Sequence, residues 1–396
     1  MPEILILGAG KIGRGFIGHL AHRSGWRVSF ADAAAGLCAQ LSAAGRYRID
    51  IAGHADQPEY IPVAAACALS DAPALAALVA RCDLLACAVG APNLVALATA
   101  LAPALAARAQ VNPAALDWLI LENADKPAQT LRTTLQAQAP QAAVWLGERL
   151  GLVETQVLRS GMPADPAVAA REPLAVKMHD WWTLPADADA FRGVIPAIQG
   201  LEVRHHFEHE LTRKIYTFNG LNGPISYLGW INGYRLMDQA ACAPELQQLL
   251  RTIHEESAHG LIAEFGFDPR EHQAFQRIAW AKYRDPALGD AIERNARDAA
   301  RKLAPRERLL GPAALCGKHG RPPLAYATAI AAALHYAGSD DPGTRSVQEC
   351  LAAQGVAGTL ARFCGITAQD PLTLLIITAA RDRSYLHPRT AEGQAP

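Results

Sequence analysis

Ile4-Leu5-Ile6-Leu7-Gly8-Ala9-Gly10-Lys11-Ile12-Gly13 reads as a strand running into a glycine turn that opens a helix. Four consecutive apolar residues suit a strand buried on both faces. Gly8 permits the tight bend, Gly10 lets a pyrophosphate approach the main chain, and Gly13 lets helix and strand pack closely. A helical pattern follows over 15–24, and a second strand pattern, Trp26-Arg27-Val28-Ser29-Phe30, ends in Ala31-Asp32. That acid stands about 20 residues beyond the last glycine, as a dinucleotide-binding βαβ unit requires. The spacing predicts cofactor phosphates seated on Gly8, Ala9, Gly10, Lys11, Ile12 and Gly13 at a helix N-terminus. Asp32 selects NAD, because its carboxylate accepts ribose hydroxyls and would repel a 2'-phosphate by on the order of a few kcal/mol. Lys11 and Arg14 are expected to face solvent or cofactor phosphate.

Up to about Val157 short apolar strands alternate with Ala- and Leu-rich helical stretches, the rhythm of an α/β, Rossmann-type doubly wound parallel sheet. Two strand patterns, 82–89 and 116–121, exit into Val89-Gly90-Ala91-Pro92-Asn93 and Glu122-Asn123-Ala124-Asp125. Ligands bind at such carboxyl ends, so Val89 and Gly90 join the cofactor residues. The stretch 161–189 is rich in Pro and Asp and reads as irregular or edge-strand material, with Leu174-Ala175-Val176 as the one strand seed. Past about Gly200 helical periodicity dominates, notably over 245–265, 290–303 and 323–337. The expected division is an NAD-binding domain over 1–198 and a mostly α-helical substrate domain over 199–396. The polar tail 387–396 is expected to fray.

With 396 residues, two domains are the default, and a net charge of −1 without basic runs gives no nucleic-acid or membrane footprint. A small-molecule substrate fits better. The apolar run 84–105 is broken by Gly90, Pro92, Asn93 and Pro103, so it reads as strand plus helix, and the first residues lead into a strand with no signal peptide expected. Eight scattered cysteines without a CxxC pair predict buried thiols in a cytoplasmic protein. No metal is expected at Cys316-Gly317-Lys318-His319 or at His205, His206 and His209, and His335 is expected to be a packing residue. The sequence leaves monomer and dimer open.

Arg213-Lys214-Ile215-Tyr216-Thr217-Phe218-Asn219-Gly220-Leu221-Asn222-Gly223-Pro224 concentrates an amine, amides and helix breakers. Taking a hydride from a carbinol requires a base for the hydroxyl proton and fixed donors for the growing oxyanion. Lys214 suits the first role and Asn219 the second, with Arg213 as the neighbouring charge that would lower the lysine pKa. On an ideal helix Lys214 and Asn219 point roughly 140° apart, so convergence needs the lysine's reach or a break near Asn219. A surface lysine beside two Asn-Gly turns is the alternative.

The chain resembles the polyol-specific long-chain dehydrogenases along nearly its whole length. The resemblance rests on Gly8 to Gly18 with Phe30-Ala31-Asp32, Ala88-Val89-Gly90, Glu122-Asn123, Arg213 to Asn219 and Gly266-Phe267-Asp268. It implies Lys214 as the general base, with Asn219 and Asn123 as the two halves of an oxyanion clamp contributed by two domains. Asn222 stands where the family has histidine, and Leu158-Arg159 where it usually has Asp-Arg. Asn222 is still expected to bind a substrate hydroxyl.

Arg294, Arg297 and Arg301 recur at three- and four-residue steps and are expected to share one helical face, a solvated face when read alone. Arg294, Arg297 and Lys302 match the pattern of the family's phosphorylated-substrate members, and the resemblance implies a phosphate clamp. The expected activity is NAD-dependent interconversion of a sugar alcohol phosphate and a ketose phosphate, most simply mannitol 1-phosphate and fructose 6-phosphate. A dehydrogenase of a non-phosphorylated polyol or uronate, or a catalytically silent NAD-binding homologue, is the alternative.

Overall fold

The computed structural model of the chain describes residues 1–54, 57–124, 126–162 and 164–382, so the tail 387–396 lies outside the described residues. The polypeptide forms two compact units that divide between Phe207 and Glu208. The first runs β1 (Glu3–Leu7), α1 (Gly18–Arg23), β2 (Arg27–Asp32), α2 (Ala35–Ala44), β3 (Arg46–Ile51), β4 (Glu59–Pro62), β5 (Ala65–Ala68), α3 (Ala72–Arg81), β6 (Leu84–Cys87), α4 (Leu94–Val111), β7 (Leu116–Ile120), α5 (Pro127–Gln138), α6 (Ala143–Glu148), β8 (Leu150–Glu154), β9 (Gly161–Met162), α7 (Pro166–Arg171), β10 (Val176–Met178), β11 (Leu184–Asp187) and β12 (Leu201–Arg204).

Six of these strands make one parallel sheet in the order β5-β2-β1-β6-β7-β8. Counted within this sheet alone, that is the 3-2-1-4-5-6 order of the Rossmann fold, with the switch point between β1 and β6. Crossover helices cover both faces, so β1, β6 and β7 are buried at every position and show no polar alternation. Helix α4 is long and apolar enough to cross a membrane by length and composition. Here Leu94, Leu97, Leu101 and Leu105 instead enter one core with Leu75 and Leu78 of α3 and with Leu85 and Trp118 of the sheet. Arg108 on α4 is buried and caps the C-terminal end of α3, its Nη1 donating to the carbonyls of Val79 (2.6 Å), Ala80 (3.3 Å) and Cys82 (2.8 Å).

The stretch 161–189, read as irregular or edge-strand material with one strand seed, does supply the edge strand β9, and the reading is corrected in that the stretch also supplies α7, β10 and β11. With β3 and β4 two of these strands make a second sheet, β4-β3-β10-β9, and β11 forms a parallel pair with β12. These strands are two to six residues long, and they exist because Tyr47, Ile49, Ile61, Val176 and Met178 close over Phe16 and Ile17. Tertiary burial decides them, not local pattern.

The second unit is helical: α8 (Phe207–Lys214), a π-type turn Ile215–Asn219, α9 (Gly220–Ile231), α10 (Met237–Cys242), α11 (Pro244–Phe265), α12 (Pro269–Arg284), α13 (Ile292–Ala296), α14 (Ala299–Lys302), α15 (Leu310–Lys318), α16 (Leu324–Leu334), α17 (Pro342–Thr359) and α18 (Pro371–Asp382). Buried from Gly220 to Gly229, α9 packs against α10, α11, α13 and α16. The helix expected over 290–303 is broken. Arg297 is extended (φ −51°, ψ 157°) and Asp298 is left-handed (φ +60°). The cause is tertiary: the Asp298 N–H donates to Asp341 Oδ1 (3.1 Å), the carboxylate that also caps α17 through the Thr344 N–H (2.9 Å). His335 ends α16 and hydrogen-bonds the Ala331 carbonyl through Nδ1 (2.8 Å).

Candidate active site

In the first unit the glycine loop sits at the switch point. Gly8 has φ +98° and a Cβ there would stand 2.5 Å from the Ala88 carbonyl oxygen; one on Gly13 would stand 1.9 Å from that of Gly8. Gly10, by contrast, has nothing within 4 Å of a Cβ position, leaving main chain open to a phosphate beside the first helical turn. A dinucleotide fits this loop. Asp32 at the end of β2 accepts from the Ala9 N–H through Oδ2 (2.6 Å) and from the Ala34 N–H through Oδ1 (2.8 Å), and each oxygen keeps a second lone pair for a ribose hydroxyl.

Arg14 does not face solvent or phosphate. It is buried, with Nε on the Ala9 carbonyl (2.7 Å) and Nη1 on that of Leu174, and it clasps the loop from behind. Lys11 is exposed. At the exit of β6 the N–H groups of Val89 (2.6 Å) and Gly90 (3.0 Å) both donate to Glu122 Oε1, and the Val89 carbonyl accepts from Asn93 Nδ2 (2.8 Å). Val89 and Gly90 therefore offer a ligand surface more than hydrogen bonds. Burial pushes the Glu122 carboxyl up against the lowering effect of its two N–H partners. Asn123 follows, exposed, after the end of β7.

In the second unit the π-type turn removes the 140° obstacle between Lys214 and Asn219. The Gly220 N–H reaches back five residues to the Ile215 carbonyl, so residues five apart stack as residues four apart do in an α-helix. Lys214 precedes the turn and Asn219 ends it, and the two share a face. The skipped carbonyl, that of Tyr216, accepts from Ser257 Oγ (2.8 Å). Pro224 has no N–H for the Gly220 carbonyl, which accepts from Tyr326 Oη (3.1 Å). Lys214 is lowered to about 8, first by burial and then by the charges of Lys282 and Arg308. Arg213 is engaged elsewhere, its guanidinium between Phe267 (4.7 Å) and Phe275 (4.6 Å) with Nε on His272 Nδ1 (3.2 Å).

Two family models cover the chain: the mannitol dehydrogenase Rossmann domain matches residues 2–200 and the mannitol dehydrogenase C-terminal domain matches 206–362. The chain belongs to the mannitol dehydrogenase family. It is an oxidoreductase of that family, built on an NAD-binding fold. Among solved structures it is similar to a substrate-free D-sorbitol dehydrogenase at 14% identity, with 96% of this chain and 92% of that one covered and a TM-score of 0.80. It is similar also to the Pseudomonas fluorescens mannitol 2-dehydrogenase in complex with NAD and D-mannitol, at 14% identity, 97% and 92% coverage and a TM-score of 0.70.

In this member of the mannitol dehydrogenase family the expected substrate residues fall into two groups. Asn222 is buried on α9, its Nδ2 donating to Asn295 Oδ1 (2.9 Å), and it lies within hydrogen-bonding range of Tyr283. Lys302 is buried too, donates to the Asn295 carbonyl, and is lowered to about 7 by burial and then by Arg308 and Arg301. Asn222, Asn295 and Lys302 thus form one polar chain. Arg294 and Arg297 are more than half exposed, each paired with a carboxylate four residues earlier, Asp290 and Glu293. The expectation that Arg294, Arg297 and Arg301 share one helical face is corrected by the break at Asp298; Arg301 lies on α14 and binds Asp298 (2.7 Å) and Glu307 (2.9 Å).

Leu158 is buried, and the adjacent Arg159 is 1% exposed, stacked on Trp182 at 4.5 Å with Nε on the His179 carbonyl (2.9 Å). Among the described residues no group of three or more His, Cys, Asp and Glu is placed to hold a metal ion. Sequence reading missed Glu122 as the acceptor that shapes the β6 exit, and it missed Lys282 and Arg308 beside Lys214. Glu122 was visible beside Asn123; nothing local marks the other two.

Proposed function

We propose that this protein is an NAD-dependent dehydrogenase that interconverts a sugar alcohol phosphate and a ketose phosphate, most simply mannitol 1-phosphate and fructose 6-phosphate, as a mannitol-1-phosphate 5-dehydrogenase does. The observation that carries the reading is the π-type turn that sets Lys214 and Asn219 on one face, with burial and then the charges of Lys282 and Arg308 lowering the lysine to about 8. A neutral Lys214 Nζ takes the hydroxyl proton as the carbinol C–H bond breaks. Asn219 Nδ2 donates to the same oxygen as it becomes a carbonyl. NAD, which the glycine loop and Asp32 would hold, would supply the nicotinamide ring as hydride acceptor. One such amide donor is worth roughly 3 kcal/mol of transition-state stabilisation. The family resemblance adds Asn123 as a second donor, which Asn123→Ala tests by itself. Asn222 and Lys302 hold substrate hydroxyls and charge, and the exposed Arg294 and Arg297 complete the phosphate clamp.

The test is the loss of NADH absorbance on mixing protein, NADH and fructose 6-phosphate. Turnover that Lys214→Ala abolishes supports the enzyme. NADH binding without consumption of any ketose or ketose phosphate supports a silent homologue. A second reading, a non-phosphorylated polyol as substrate, is favoured by the engagement of Arg294 and Arg297 with their own carboxylates. Turnover of fructose as fast as of its phosphate selects it.

A further inference from the structure

We propose that Arg308 binds the anionic end of the substrate, a phosphate ester or a carboxylate on a sugar chain, and so makes the enzyme prefer a charged substrate over a neutral polyol. This rests on the dehydrogenase reading above and names the group that sets its substrate class.

Arg308 lies between α14 and α15, with its stem against α9, the helix that carries Asn222 and follows the π-type turn. Its Cγ and Cδ lie 3.4 Å from where a Cβ on Gly223 would stand, and its carbonyl oxygen 3.6 Å from the corresponding point on Gly220. The side chain is 13% exposed. Glu307 Oε2 accepts from its main-chain N (3.2 Å) and from Nε (3.1 Å), which fixes the guanidinium while leaving its Nη1 and Nη2 end out of both bonds. From that position its charge reaches Lys214, Lys302, Tyr227 and Tyr283. Asn222, the neighbour of Gly223, and Lys302 meet on Asn295, so Arg308 stands beside the polar chain described above.

Charge balance points the same way. Lys282 is half-buried and Lys302 buried, and the carboxylates that face these lysines and Arg308 are shared: Glu307 with Arg301, Asp290 with Arg294 and Asp298 with Arg301. Removing cations from water without full pairing costs several kcal/mol per ion, a cost that a bound anion relieves. Of the candidates, Lys302 already donates to a carbonyl, whereas Arg294 and Arg297 are exposed and paired with carboxylates. Arg308 combines low exposure, a fixed fork and an unengaged end, the arrangement that suits a bidentate oxyanion.

The experiment compares wild type, Arg308→Met and Arg308→Lys in NADH-dependent reduction of fructose 6-phosphate, of a keto-hexuronate and of fructose. The expected result is that the ratio of kcat/KM for the preferred anion over fructose falls about 10- to 100-fold in Arg308→Met, mainly through KM, and is partly restored in Arg308→Lys. The phosphate and uronate arms identify the anion. A ratio unchanged in Arg308→Met, or an equal fall for charged and neutral substrates, overturns the proposal. A wild-type enzyme that prefers the uronate overturns the phosphorylated-substrate reading and leaves the assignment of Arg308 standing, whereas one that turns over fructose as fast as either anion overturns both. Independently of turnover, inorganic phosphate at constant ionic strength should raise the melting temperature of wild type and not of Arg308→Met; equal shifts, or none in wild type, also overturn the assignment.

Discussion

Lys214 should act as a base with an inflection near pH 8, and the neighbouring charge of Lys282 should set part of that value. With a pKa of about 8, roughly 0.24 of the lysine is neutral at pH 7.5, against about 0.001 at the ordinary value of 10.5, a gap of roughly 200-fold in competent enzyme. Burial is the largest cause, so Lys282→Met recovers only part of the gap. A rise of up to about one unit would lower polyol oxidation at pH 7.5 by no more than about eightfold and leave it almost intact at pH 9.5. The sign is fixed by the chemistry. Oxidation needs the free amine and rises through the pKa; ketone reduction needs the ammonium and falls through it. The assay is kcat/KM for oxidation at saturating NAD, followed by absorbance from pH 6 to pH 10, which reports the NAD-loaded enzyme before polyol binds. A Lys282→Met defect equal at every pH, or a wild-type inflection near the ordinary lysine value, refutes the assignment of that charge to the base.

Three further outcomes follow from the first unit. Asp32→Ala should shift the ratio of NADP to NAD affinity upward, and should also weaken NADH binding because the Ala9 N–H loses its acceptor; paired fluorescence titrations measure both. Glu122→Leu should raise the NADH dissociation constant by orphaning two N–H groups at the β6 exit, whereas Glu122→Gln, which still presents an acceptor oxygen, should stay within a few-fold of wild type. Arg108→Met should destabilise the fold by about 2 to 4 kcal/mol in urea melts, since carbonyls at the end of α3 lose their donor.

The sequence carries the Rossmann half well because its signal is local. A buried strand, three glycines with distinct duties and one acid at a fixed distance leave little freedom, and Gly8, Gly13 and Asp32 stand where that reading puts them. The small second sheet is not legible, because strands as short as Gly161–Met162 are made by what folds over them. Arg14 follows the glycine motif and reads as a phosphate ligand, yet the carbonyls of Ala9 and Leu174 hold it inward. Periodicity carries the eye straight through Asp298, where one bond to Asp341 breaks the helix. Lys282 and Arg308 lie far from Lys214 along the chain and become its neighbours only through folding.

The turn at Ile215–Asn219 makes winding itself a chemical variable. The same residues wound at ordinary α spacing would swing the amide about 100° away from the amine, with both side chains unchanged. A protein so altered could keep its fold and its coenzyme yet lose its reaction, since reactivity here depends on how many residues fill one turn as much as on their identities.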